Sequence, residues 1–277
     1  MVRLILPLLL AGCGAATPPP DRPTPVAGSV VVRTEAGLET RAVDDAGRVL
    51  GREAGATLEV EGARWRWETA AVEIPLWDTL PDEESPDPRT ADRRGTMWTA
   101  AFVSSGRRIA VAAVDPALVA RDVSHEISLE AVVGPLAFVR ETTHLDVFGA
   151  HGSVEVVQHV IDLRSGERVA LEVAEEARVE ARRRLEEREP LEDEVELVAV
   201  HPRWTERGLR VEARFATSTC YACTDGSWSD YRRSVTVETE VEALAAVALP
   251  AWVSAGPGEE IVAFGAAVGE TPTRGDD

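Results

Sequence analysis

Past its first ten residues the chain has no apolar run approaching the roughly 20 residues that a membrane-spanning helix needs, so the sequence offers no internal span. No period of 20–50 residues repeats, which sets aside solenoids and propellers. There is no Gly-x-Ser-x-Gly elbow, Gly-rich phosphate loop or dinucleotide fingerprint. Gly152-Ser153-Val154 and Gly226-Ser227-Trp228 read instead as turns. Positive charge is in deficit: the formal net charge is −19, with acids spread over the whole length. Such a surface repels nucleic acid phosphates and anionic lipid headgroups. It either steers a strongly basic partner toward itself or simply keeps the chain soluble. With 48 acidic residues, close carboxylate pairs arise by chance, so they give glycosidase chemistry no support.

Cysteine is scarce, at three residues. The first thirteen residues, MVRLILPLLLAGC, combine Arg3, the apolar run Leu4–Leu10 and small residues before Cys13. The stretch is too short to span a bilayer and reads as a cleaved export signal over residues 1–12. Leu10-Ala11-Gly12-Cys13 resembles the lipobox of bacterial lipoproteins. That resemblance implies that Cys13 is acylated, with palmitate for example, becomes the mature N-terminus and anchors the protein to the membrane. The competing reading is an ordinary secretory signal. Gly14 rather than Asp after the cysteine is compatible with the outer membrane, facing the periplasm. Residues 13–28 contain five prolines and form a semi-rigid tether. The other two cysteines, Cys220 and Cys223, point to a local disulfide in an exported protein. A redox pair lacks a βαβ lead-in, and zinc needs two further ligands. By the chain-entropy estimate so small a loop contributes only about 2 kcal/mol.

The chain is organised around Phe148–Glu167, a Gly-flanked turn carrying His151, a β-branched strand at 154–161 and a second turn that hands the chain to a helix. Before it, strands are expected at Ser29–Val32, Leu58–Glu61 and Ala63–Thr69, with residues 37–57 a loop or weak hairpin. Period-two alternation puts Trp65 and Trp67 on one face, as core or as a sugar-stacking pair. Residues 80–95 form a charged, proline-containing loop. Hairpins follow around Ser105-Gly106 and Gly134-Pro135. The helix is expected over Leu171–Glu189, stopped by Pro190. Strands at Val195–Val200, Leu209–Thr217, Ser234–Thr239 and Ile261–Phe264 follow, with a short helix at Val241–Val247. The fold class is α+β, a mostly antiparallel sheet with one main helix packed on it and a β-rich N-terminal half. The sequence divides into a β-rich region at 29–120, an α+β region at 121–270 and a tail at 271–277.

Ile127–Val139, Gly149-Ala150-His151-Gly152, Asp162–Gly166, Thr205–Phe215, Tyr221-Ala222 and the strand at 234–239 follow an order and spacing that give residues 120–250 a resemblance to the extracellular domain of unknown function shared by RsiV-type anti-sigma factors and PdaC-type polysaccharide deacetylases. Phe148 stands where that pattern usually has a Gly, and the Cys220/Cys223 loop is an addition. The resemblance implies a non-enzymatic envelope domain that binds a wall-associated ligand, either a lysozyme-like protein or peptidoglycan glycan. It implies no catalytic residues, and no cofactor is expected. His151 is the candidate binding residue, unless its nitrogens bond the backbone of its own turn. His144, His151 and His159 are close in sequence, but nothing fixes them on one face, so no metal is assigned. The alternatives are an envelope hydrolase with a site near His151 and a purely structural lipoprotein.

Overall fold

The structure is a computed structural model that describes residues 25–81, 87–115, 118–146, 148, 153–187, 194–205, 208–218, 232–245 and 247–266. Cys13, the tether as far as residue 24, the His151 turn, Cys220, Cys223 and the 271–277 tail lie outside the described residues. Four antiparallel sheets and one α-helix make up the described part. The strand-dominated, antiparallel α+β class is therefore present, while the single sheet carrying one helix is replaced by four smaller sheets. The fourteen strands among the described residues exceed what one strongly twisted open sheet sustains, and they split into packed layers.

In the first sheet β14 (Glu260–Ala266) pairs with β1 (Gly28–Thr34), followed by β2 (Gly37–Val43) and β3 (Val49–Ala54). The polar 37–57 stretch thus forms two regular strands. Thr40, Arg41 and Val43 of β2 are buried, and β3 is exposed throughout as the sheet edge. The second sheet holds β4 (Thr57–Val60), β5 (Ala63–Leu76), β6 (Arg93–Ser104) and β7 (Arg107–Ala112). Trp65 is buried, and the Trp67 ring lies 4.9 Å from that of Phe102, which places both indoles in packing. The third holds β8 (Asp122–Val133), β9 (Leu136–Asp146) and β10 (Ser153–Asp162). The fourth holds β11 (Glu196–Thr205), β12 (Gly208–Ser218) and β13 (Arg232–Glu238). Gly106 and Gly134 take positive φ in the two-residue connections β6–β7 and β8–β9, a conformation that costs residues with a Cβ.

The helix α1 spans Glu175–Glu186, shorter than 171–189. After the turn at Asp162 the chain first runs back beside β10, Val169 N–H donating to the Val160 carbonyl at 2.8 Å. Val173 enters the core from this extended segment. Ala177, Ala181 and Leu185 form the buried stripe of α1, which leans on β12 and β13, while Val179 faces solvent. The expected helix at 241–247 is a 3-10 turn at Glu242–Leu244.

The third sheet separates two cores. Leu129, Val139 and Ile161 face one, shared with Val31, Phe102 and Val262. Ala131, Phe138 and Val160 face the other, shared with α1 and with Phe215. Because β14 pairs with β1, and the first core draws on both sides of residue 120, the sequence boundary there does not divide the packing. Among the described residues no helix is long and apolar enough to cross a membrane.

Candidate functional site

The site begins with a fault in a β-ladder. Along β8 and β9, Glu126 faces Thr142 and Ser128 faces Arg140, then the register shifts between Leu129 and Ala131. The extra residue is Glu130. The bulge lets Leu129 enter the first core and Ala131 the second, while the Glu130 side chain is turned to the face shared with Ser128 and Arg140. Bulges re-aim side chains in this way.

On that face lies a cleft of about 240 Å³. Glu126, Ser128, Glu130, Arg140 and Thr142 form its floor. His201, Pro202 and Arg203 of β11 form one wall, and Arg33 of β1 with Glu260 of β14 the other. Arg33 is fixed by two bonds, from Nε to Glu260 Oε2 at 3.3 Å and from Nη2 to the Leu129 carbonyl beside the bulge at 2.5 Å.

Gln158 holds the cleft together. It is the chain's one side-chain amide, since the sequence has no asparagine and no second glutamine. Its Oε1 accepts from Val200 N–H at 2.7 Å, and its Nε2 donates to the Val200 carbonyl at 2.7 Å and to Glu130 Oε2 at 3.1 Å. The amide thus stands in for a ladder rung between β10 and β11 and fixes the Glu130 carboxylate. His201 Nδ1 approaches the same oxygen at 3.3 Å. Burial works to raise the Glu130 carboxyl, but the His201 and Gln158 bonds and the charge of Arg140 outweigh it and hold the group below its ordinary range. Glu130 is therefore a fixed anion in the cleft at neutral pH.

The other groups are not all used. Among the described residues Arg140, Arg203 and Glu126 make no hydrogen bond and no ion pair. All three are exposed, and Val154 and Val156, 62% and 43% exposed, extend the same sheet face past Thr142 as an apolar margin. Two larger hollows, of about 800 and 880 Å³, are lined by the 238–261 stretch. In the first the lining arginine, Arg210, is taken by Glu212 and Glu238, and in the second Glu259 is taken by Arg41.

On the reverse face of the third sheet, His125 Nε2 and His159 Nε2 meet the two oxygens of Glu141 at 2.9 and 2.7 Å. Both imidazoles are buried. The His159 bond, followed by that of His125, keeps the Glu141 carboxyl below its ordinary range against the opposing effect of burial. Pleat alternation places His144, which faces Val154, on the opposite side of the sheet from His159, so these two imidazoles do not converge. Among the described residues no group of three or more His, Cys, Asp or Glu side chains is arranged to hold a metal ion.

His151 lies in the β9–β10 connection, outside the described residues. The cleft itself escapes sequence reading because its parts are contributed from residues 33, 126–142, 201–203 and 260. One signal is present: a single glutamine in the middle of a strand rich in valine and isoleucine. Comparison of the chain with protein-family models, with curated proteins and with solved structures finds no match.

Proposed function

We propose that this chain is a lipid-anchored protein of the bacterial cell envelope whose folded part is a binding module for a wall-associated ligand. The observation that carries the reading is the cleft in which, among the described residues, Arg203 and Glu126 make no hydrogen bond or ion pair and Arg140 meets the fixed Glu130 anion through its charge alone. Such groups are matched to recognising charge. The lipobox-like Leu10–Cys13 supports the anchor. The likeness of residues 120–250 to the RsiV/PdaC-type domain supports an extracytoplasmic binding role.

The test is capture of the full chain on lysozyme and on soluble peptidoglycan fragments at low and high salt, with the R140Q/R203Q double variant alongside. Retention of fragments at low salt, lost in the double variant, is the expected result. Lysozyme capture that survives the double variant assigns binding to the acidic surface. Failure to retain either at low salt overturns the reading. For the anchor, membrane fractionation should release the Cys13→Ser variant and mass spectrometry should find acyl mass on Cys13 of the parent.

A further inference from the structure

We infer that the β8–β9–β11 cleft takes a small zwitterion, a free amino acid or dipeptide carrying both a carboxylate and an ammonium group; this rests on the binding-module reading above. A ligand completes whatever the protein leaves incomplete. Here the groups left without a hydrogen bond or ion pair among the described residues are two guanidiniums, Arg140 and Arg203, and one carboxylate, Glu126, with Arg140 acting on Glu130 by charge alone. Arg33 and Glu260 already satisfy one another, as do Glu130, Gln158 and His201. Guanidinium forks bind carboxylates in paired, charge-assisted hydrogen bonds. Glu126 lies diagonally from Arg140 on the adjacent strand, their backbone positions about 7–8 Å apart on one face, so both side chains reach a single occupant of one or two amino-acid residues.

Size and lining exclude the competing ligand class. About 240 Å³ lies just under the ~300–1,000 Å³ of ordinary ligand pockets, so the occupant is small. Sugar recognition commonly uses an aromatic platform, and among the described residues the lining contains no Phe, Tyr or Trp. The exposed Val154 and Val156 offer instead a surface for a small aliphatic side chain. Of the two wall components, peptide fits this cleft and glycan does not.

The experiment is calorimetric titration of the full chain with alanyl-alanine, its N-acetyl form, its C-terminal amide and inorganic phosphate. Alanyl-alanine should bind more tightly than either blocked form. R140Q and R203Q should each weaken it about tenfold or more, as expected for losing one charge-assisted contact. E126Q should weaken alanyl-alanine yet leave the N-acetyl form unchanged, which a purely structural role does not produce. R89Q, on an exposed turn outside the cleft, should have no effect. Thermal melts check that each variant folds; should R140Q unfold, R203Q and E126Q carry the test. No heat up to about 10 mM dipeptide, equal affinity for the dipeptide and its amide, or phosphate binding that matches the dipeptide and ignores E126Q overturns the inference. Wall-fragment capture that persists in that event leaves the binding-module reading standing; loss of both removes both.

Discussion

His125 and His159 share one carboxylate, yet the backbone tells them apart. Trp98 N–H donates to His125 Nδ1 at 2.8 Å, so that nitrogen holds a lone pair and Nε2 carries the proton given to Glu141. His159 Nδ1 is buried with no hydrogen-bond partner. The cluster is therefore held by Glu141, whose two oxygens satisfy both Nε2 donors. Removing them in Glu141→Ala leaves two buried donors unpaired and should cost about 3 kcal/mol in urea unfolding at pH 7. The pH dependence has a definite sign. A carboxyl held below its unfolded value of ~4.3 contributes stability that is complete above that value and is lost as pH falls through its folded value. Glu141→Gln should flatten the fall in stability below about pH 5 relative to the parent. Parallel curves would show that Glu141 does not titrate against folding.

At the scale of elements, β2 illustrates why a polar stretch becomes a strand. Arg41 is 7% exposed, and each of its three guanidinium nitrogens donates to a carboxylate. Nη1 and Nη2 donate to the two oxygens of Glu259 at 2.8 and 2.6 Å, and Nε donates to Glu39 at 2.5 Å. Glu259 also accepts from Gly256 N–H at 2.7 Å, and the Arg41 bonds first, with that backbone bond second, lower its carboxyl to about 2. This clamp ties β2 to the segment that leads into β14. Arg41→Gln should cost about 2 kcal/mol, between the values for exposed and fully buried pairs. The difference from the parent should hold above about pH 5, shrink below ~4.3 and vanish near pH 2, since the pair's contribution is lost as Glu259 is protonated. Denaturation midpoints across that range check it. A difference that persists to pH 2 would place the cost elsewhere.

The strands and hairpins were largely legible because their signals are local: β-branched runs, the Gly106 and Gly134 turns, and alternation around Trp65 and Trp67. The β2–β3 hairpin was legible only as a loop or weak hairpin, because the buried Arg41 of β2 reads as polar until its distant partner Glu259 is known and β3 is exposed throughout. Leu171 and Ala174 fit helical spacing, but both precede α1, in the stretch that follows the Val160–Val169 pairing beside β10. The division into four sheets, the Glu130 bulge and the cleft depend on register and long-range packing that no short window contains.

The whole molecule is closed by its ends. β14, near the C-terminus, pairs with β1, near the N-terminus, and its Val262 is fully buried in the core that also holds Val31, Phe102 and Leu129. Its Ile261 and Phe264 pack toward the second core, where the Phe264 ring meets that of Trp204 at 4.8 Å. The third sheet presents side chains to both cores at once, so neither core loses its wall without the other. Charge is organised to suit this closure. The sequence has no lysine, and all 29 of its basic residues are arginines. Their planar forks bridge paired acids within a molecule of net charge −19. The consequence is cooperativity across residue 120. Val262→Ala removes two buried methyl groups from the strand that joins the ends and should cost about 2 kcal/mol. That loss should appear equally in near-UV circular dichroism, which senses the packed indoles on both sides of residue 120, and in far-UV circular dichroism, which senses the strands. A single urea transition that moves to lower concentration with both signals coincident is the expected result. Two separated transitions, of which Val262→Ala shifts one alone, would show that the halves fold independently and that the β1–β14 pairing joins finished units.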